Sequence, residues 1–207
     1  MFAKKVSRRA MLAMTGALTA VSLLPAGEAA AAVRLSTGTL TLTTQEKNDL
    51  VFMREEEKLA RDVYLTLFEV WGTPVFANIA TSEQQHMDAI LGLLNTYKLP
   101  DPSVGKMVGE FANAELQALY DALIARGKQS ALEALMVGGV IEETDIEDLV
   151  AAMETSRLSN IDSVYQNLLN GSYNHLRAFA NNIKSLTGQP YVAQVVSQEV
   201  VDSVLGV

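Results

Sequence analysis

From Thr43 to Trp71, the apolar residues Leu50, Met53, Ala60, Tyr64, Leu67 and Trp71 recur at steps of three and four, with neither proline nor glycine before Gly72. That is the period of one buried helical face, and it predicts a long amphipathic helix with Thr43 or Thr44 as its N-cap. Gly72-Thr73-Pro74 breaks the chain, and Phe76, Ile79, Ile90, Leu93 and Tyr97 carry the same rhythm through a second helix over 74–97. Leu99-Pro100-Asp101-Pro102 ends it. A short helix follows from Asn113 through Leu116, Leu119 and Leu123 to Gly127, inside a connection of about 30 residues. The third long helix spans 130–153 on Leu132, Leu135, Gly139, Ile146, Leu149 and Met153. The fourth spans 159–186 on Ile161, Leu168, Phe179 and Leu186, and Gly188 and Pro190 stop it. Residues 191–207 read as a last short helix or a docked tail, and nothing reads firmly as a strand.

Two hairpins of long helices joined by one long connection predict an all-α four-helix bundle with a crossover between the second and third helices, the short extra helix lying within it. The bundle is expected over 43–187, with an N-terminal extension at 33–42 and a C-terminal tail at 188–207. Gly138-Gly139 falls in the middle of the third helix, where each glycine costs about 1 kcal/mol against alanine. Close packing or room for a site would explain it.

Each of the four seams is interrupted by polar residues. The first runs Leu50, Met53, Glu57, Ala60, Tyr64; the second runs Ile79, Glu83, His86, Ile90. The third runs Leu135, Gly139, Glu142, Ile146, with Asp145 one turn along, and the fourth runs Leu168, Ser172, His175, Phe179. His86 and His175 are the only two histidines in the chain. Buried carboxylates are costly unless charge compensates them. Glu57, Glu83, Glu142 and Asp145 together carry −4, which two divalent cations neutralise, while neutral imidazoles add donors without charge. Glu57, Glu83, His86, Glu142, Asp145 and His175 are therefore the candidate metal ligands, with Glu143 a further candidate if the third helix rotates. The competing reading is a polar network without metal, in which Arg54, Lys58 and Arg61 pair with the acidic run Glu55-Glu56-Glu57 in solvent.

Composition narrows the chemistry. The chain has 207 residues, 49% of them hydrophobic, and no cysteine. One domain is expected, and disulfides, thiolate zinc sites, iron–sulfur clusters and cysteine nucleophiles are excluded. Lys4, Lys5, Arg8 and Arg9 precede an uncharged stretch from Ala10 to Leu24 and the alanines 29–32. That order predicts an export signal over residues 1–32. Ser7-Arg8-Arg9-Ala10-Met11-Leu12 resembles a twin-arginine signal, which implies a periplasmic or extracellular destination. The apolar stretch is shorter than the roughly 20 residues that span a bilayer, so no stable membrane anchor is expected after cleavage. Removing 1–32 leaves 12 basic and 23 acidic residues, a formal charge of −11. Nucleic acid is a poor partner for such a surface, and metal cations are a good one.

Phe52-Met53-Arg54-Glu55-Glu56-Glu57-Lys58-Leu59-Ala60-Arg61-Asp62-Val63-Tyr64, Ser82-Glu83-Gln84-Gln85-His86-Met87-Asp88-Ala89, Ile141-Glu142-Glu143-Thr144-Asp145-Ile146 and Asn174-His175-Leu176-Arg177-Ala178-Phe179 resemble the ferritin-like superfamily. They are most similar to a prokaryotic ferritin-like family catalogued as a domain of unknown function. Glu57 with Ala60 and Tyr64 also resembles the first metal helix of rubrerythrin-like proteins. The resemblance implies a di-iron or di-manganese centre, with zinc as another occupant, and an oxidoreductase acting on dioxygen or peroxide. It also implies that Glu57 and Glu142 are the lone carboxylates of the first and third helices, and Glu83 with His86 the E-x-x-H pair of the second. The fourth helix departs from the pattern: a carboxylate belongs three residues before His175, and Ser172 stands there. Asp145 is the candidate to replace it. Non-catalytic metal storage or sensing, and a metal-free helical interaction module, are the alternatives.

Overall fold

The structure is a computed structural model that describes residues 41–207. The export signal at 1–32 and residues 33–40 of the expected extension lie outside the described residues. Within them the chain is all-helical, with six helices and no strand: α1 (Thr44–Trp71), α2 (Pro74–Thr96), α3 (Ala114–Gly127), α4 (Ala131–Thr155), α5 (Ser159–Thr187) and α6 (Gln198–Leu205).

Local signals explain where these helices begin and end. Thr43 caps α1 in a reciprocal box, its hydroxyl accepting from the Glu46 N–H while the Glu46 carboxylate accepts from the Thr43 N–H. Gly72 closes α1 at φ 64°, a left-handed conformation that favours glycine, and Pro74 opens α2 where its missing N–H costs nothing. Asn113 and Ser130 cap α3 and α4 through their side-chain oxygens, and Gly188 ends α5 at φ 73°.

The two-residue link turns α2 back along α1, α4 and α5 form a second pair, and the pairs meet through α1 with α4 and α2 with α5. Helix α3 lies across α1 and α4, and α6 packs on α5. Leu50, Met53, Tyr64, Leu67, Phe76, Ile90, Leu149, Ile161 and Phe179 are fully buried between them. Tyr64, Phe76 and Phe179 form an aromatic triangle with ring centroids 5.2–6.2 Å apart. Leu186 departs from the expected seam, standing 55% exposed. It lies in the last turn of α5, immediately before the Gly188 stop.

The charge run on α1 also departs from expectation. Arg54, Glu55, Lys58 and Asp62 are buried rather than solvated, because the long connection between α2 and α3 folds back over them. Arg54 holds Asp101 through two hydrogen bonds of 3.1 Å, Lys58 Nζ donates to the Met107 carbonyl at 2.8 Å and pairs with Asp62, and Asp62 accepts from the Gly109 N–H at 2.9 Å. Glu55 accepts the Ala112 and Asn113 N–H groups at 2.5 and 3.1 Å. Arg61 pairs with Asp62 and Gln84. None of these cations is hydrogen-bonded to Glu57.

Glu46 joins the start of α1 to the link between α4 and α5, accepting the Arg157 N–H at 2.9 Å and its guanidinium at 3.2 Å besides the Thr43 cap. Burial opposes its ionisation, but the donors at Thr43 and Arg157 hold the carboxyl down at about 2, against an ordinary value of 4.5. A depressed carboxyl contributes stability above its unfolded pKa and loses it as pH falls toward the folded one. Glu46→Gln should therefore cost about 1–2 kcal/mol at pH 7, and the difference should shrink below pH 4.5 and vanish near pH 2. Thermal melts of both proteins across that range check this, and a pH-independent gap would contradict it.

Candidate metal centre

The interrupted seams meet midway along the long helices. Glu57 comes from α1, Glu83 and His86 from α2, Glu142 and Asp145 from α4, and Ser172 and His175 from α5, all of them buried. The E-x-x-H spacing puts Glu83 and His86 one turn apart on one face, and their side chains touch: His86 Nδ1 lies 2.8 Å from Glu83 Oε2 and 3.2 Å from Glu57 Oε2. The other Glu83 oxygen, Oε1, lies 2.8 Å from His175 Nδ1, which is also 3.4 Å from Glu142 Oε2. Two donor triads result, Glu57–Glu83–His86 and Glu83–Glu142–His175, with the donor atoms of each lying within 4.8 Å of one another. The two imidazoles sit side by side, 5.4 Å between centroids.

A surrounding layer aims these groups. Tyr64, packed on Phe76 and Phe179, donates its hydroxyl to Glu142 Oε1 at 2.6 Å. His175 Nε2 lies 2.9 Å from Ser82 Oγ. Ser172 hydrogen-bonds Asp145 Oδ2, so the residue in the expected carboxylate position on α5 holds a carboxylate delivered from α4. Gly171 is required for clearance, because a Cβ there would lie 2.4 Å from His86 Nε2.

Buried carboxylates crowd one another here. Burial and the neighbouring Asp145 charge push Glu57 well up, burial raises Glu142, and burial with Glu142 and Glu83 lifts Asp145 to about 7. Against burial, hydrogen bonds from His175 and His86 draw Glu83 down to about 2. Burial also disfavours protonation of the imidazoles, yet the surrounding carboxylates raise His86 to about 11 and His175 to about 10.

The protein groups do not satisfy one another. Glu57 Oε1 and Asp145 Oδ1 are buried without a hydrogen-bond partner, and His175 Nδ1 is turned between the carboxylates of Glu83 and Glu142. Two orphaned carboxylate oxygens in one cluster would each cost about 1–3 kcal/mol if left so. Carboxylate oxygens ligate cations, and an oxygen-and-imidazole set without sulfur suits iron, manganese or zinc. These residues fit a metal.

Of the sequence-predicted ligands, Glu57, Glu83, His86, Glu142 and His175 form the two triads, and Asp145 stands beside them on Ser172. Glu143 points elsewhere: its carboxylate accepts from Tyr191 and from the N–H groups of Gln194, Val195 and Val196. The roles of Ser82, Ser172 and Gly171 were not read from the sequence. Only their spacing signals them, each lying three or four residues from a histidine on its own helix.

A family model described as "Uncharacterized protein domain (DUF2202)" matches residues 46–207. The chain is similar to the uncharacterized protein MJ0754 of Methanocaldococcus jannaschii, 43% identical over 164 residues, which cover 79% of this chain and 88% of that protein. Its fold is similar to the crystal structure of the hypothetical protein MJ0754 from Methanococcus jannaschii DSM 2661, with a TM-score of 0.78 at 40% identity, over 90% of this chain and 98% of that one.

Proposed function

The chain belongs to the DUF2202 family of uncharacterized domains, and from that premise we propose that it is an exported ferritin-like four-helix protein that binds two divalent metal ions and acts as an oxidoreductase on dioxygen or peroxide. One observation carries the dimetal reading: the two oxygens of Glu83 face two different histidines, so a single carboxylate belongs to both donor triads. A carboxylate shared in this way suits a bridge between adjacent ions. Iron or manganese bound there would supply Lewis-acid and electron-transfer chemistry toward a small oxidant.

The residues around the centre have definable work. With His175 Nε2 engaged by the Ser82 hydroxyl, Nδ1 is the nitrogen turned toward Glu83 and Glu142 and would be the one to ligate. Tyr64 fixes one oxygen of Glu142 and leaves Oε2 toward His175. Ser172 fixes one oxygen of Asp145 and leaves Oδ1 unpaired, which supports Asp145 as the carboxylate that α5 lacks. The aromatic triangle keeps water from the Glu142 side. The polar-network reading is disfavoured because it leaves two buried carboxylate oxygens, Glu57 Oε1 and Asp145 Oδ1, unpartnered.

The twin-arginine motif at Arg8 and Arg9 supports export after folding, by which route a metal chosen in the cytoplasm would travel with the protein. Replacing both by lysine should retain the protein in the cytoplasm. The full chain, loaded anaerobically with Fe(II), Mn(II) or Zn(II) and desalted, should hold about two ions as measured by mass spectrometry. Absence of stoichiometric metal in all three preparations would sink the reading. Consumption of dioxygen or peroxide by the iron form separates turnover from storage or sensing, which inertness toward both would favour.

A further inference from the structure

We propose that Glu143 is a positioning residue for the metal centre: by anchoring the C-terminal segment, it fixes the rotation of α4 that aims Glu142 at its triad. The proposal rests on the dimetal reading.

Glu143 is wholly buried, and all its hydrogen bonds run away from the metal cluster. It accepts the Tyr191 hydroxyl at 2.6 Å and the N–H groups of Gln194, Val195 and Val196 at 3.0, 2.6 and 2.9 Å. Three successive backbone amides turned on one carboxylate form an anion nest, here occupied by a side chain of the same molecule. Gln194 adds two grips, its Nε2 donating to the Met136 carbonyl at 2.8 Å and its Oε1 accepting from Arg126 at 2.9 Å.

The two glycines that stood out in the sequence complete the device. Four residues before Glu143, Gly139 admits the Tyr191 hydroxyl, which would lie 2.2 Å from a Cβ. Four residues before Glu142, Gly138 admits the Phe179 ring, which would lie 2.4 Å from a Cβ. Phe179 packs on Tyr64 with centroids 5.2 Å apart, and Tyr64 donates to Glu142. Two adjacent rows therefore run along α4: Gly138, Phe179, Tyr64 and Glu142 toward the cluster, and Gly139, Tyr191 and Glu143 toward the tail.

Neighbouring residues on a helix are separated by a fixed angle of about 100°. Holding Glu143 therefore sets the azimuth of Glu142. With side chains reaching about 5–6 Å from the helix axis, a 20° turn of α4 displaces a carboxylate by about 2 Å, enough to break a coordination bond. Helix α1 and its ligand Glu57 are not gripped by this tail, so the effect should fall on the ligands that α4 carries, Glu142 of the second triad and Asp145 beside it, and spare the Glu57–Glu83–His86 triad.

The test compares wild type, Glu143→Gln, Glu143→Ala and Tyr191→Phe as full chains, titrated with Zn(II) and with Fe(II) under nitrogen, with circular dichroism as the check on folding. Wild type should bind in two steps. In Glu143→Ala one step should weaken by about ten-fold or more while the other is retained, as expected of an outer residue that orients a ligand. The Gln and Phe variants should give smaller losses at the same step, and they decide the matter if the alanine variant does not fold. Unchanged binding at both steps, or equal weakening of both, overturns the proposal even where melting temperatures drop. A wild-type chain that binds no metal, or a single ion, refutes the dimetal reading instead.

Discussion

On the dimetal reading, Glu83→Gln should leave the helices intact and abolish binding of both metal ions. Glutamine keeps the shape of the side chain but lacks the charge that both histidines face at 2.8 Å, and its NH2 group turns a donor toward one of the two triads. Residues outside the ligand set commonly cost about 10- to 100-fold in metal affinity, so loss of a shared ligand should exceed the upper end of that range at both positions. Glu57→Gln and Glu142→Gln should each weaken one position, because each belongs to one triad. The readouts are metal content after desalting and the response of the melting temperature to added metal. An ion at 100 times its Kd stabilises the native state by about 2.7 kcal/mol, or about 5–10 °C for a domain of this size. Wild type should show that rise, and Glu83→Gln should show none. Retention of two ions by Glu83→Gln would mean that the triads are not joined through this carboxylate.

The largest purely structural loss is expected at Asp62→Ala. Asp62 and Lys58 are fully enclosed between α1 and the loop that covers it, and Asp62 also accepts from Arg61 and from the Gly109 N–H. Removing the carboxylate leaves Lys58 buried with only the Met107 carbonyl and the Phe111 ring, 4.6 Å from its Nζ, and leaves the Gly109 N–H without an acceptor. Breaking a buried pair on one side costs about 3–5 kcal/mol, which predicts a fall of about 10 °C or more in melting temperature. Lys58→Met combined with Asp62→Leu should recover much of that loss, because no buried charge is then stranded. A cost below about 1 kcal/mol for the single variant would show that the loop detaches easily and that the pair is solvated.

These two sites also mark how far the sequence could be read. The Glu83–His86 face was legible because a seam of apolar residues at steps of three and four identifies the buried side of a helix, and any polar residue within it is conspicuous. Helix ends were legible for the same kind of local reason: Thr43, Asn113 and Ser130 supply caps, and Gly72 and Gly188 supply left-handed stops. The competing polar-network reading set Arg54, Lys58 and Arg61 in solvent, whereas Arg54 and Lys58 are buried. Helical periodicity separates a polar face from an apolar one, but it carries no information about what later covers the polar face. Here the cover is a loop 47–58 residues further along the chain. Glu143 was ambiguous for a related reason, since its destination is the irregular stretch from Tyr191 to Val196, which has no period to read. Leu186 kept the period but lies in the last turn of its helix, where the seam ends in solvent.

The paired rows on α4 make its length as important as its composition. Glycine and glutamate stand four apart in each row, and the rows lie about 100° apart around the helix. Deleting one residue between Gly139 and Glu142 would turn everything beyond it by about 100° relative to the glycines. Glu143 would then take the place of Glu142 at the cluster, and the tail would lose the carboxylate it closes on. Substitutions at Val140 and Thr144 can be absorbed one at a time, whereas a deletion moves the tail's carboxylate to the cluster and an insertion moves the cluster's carboxylate to the tail in a single step. The segment from Gly138 to Asp145 should therefore vary at Val140 and Thr144 long before it varies in length.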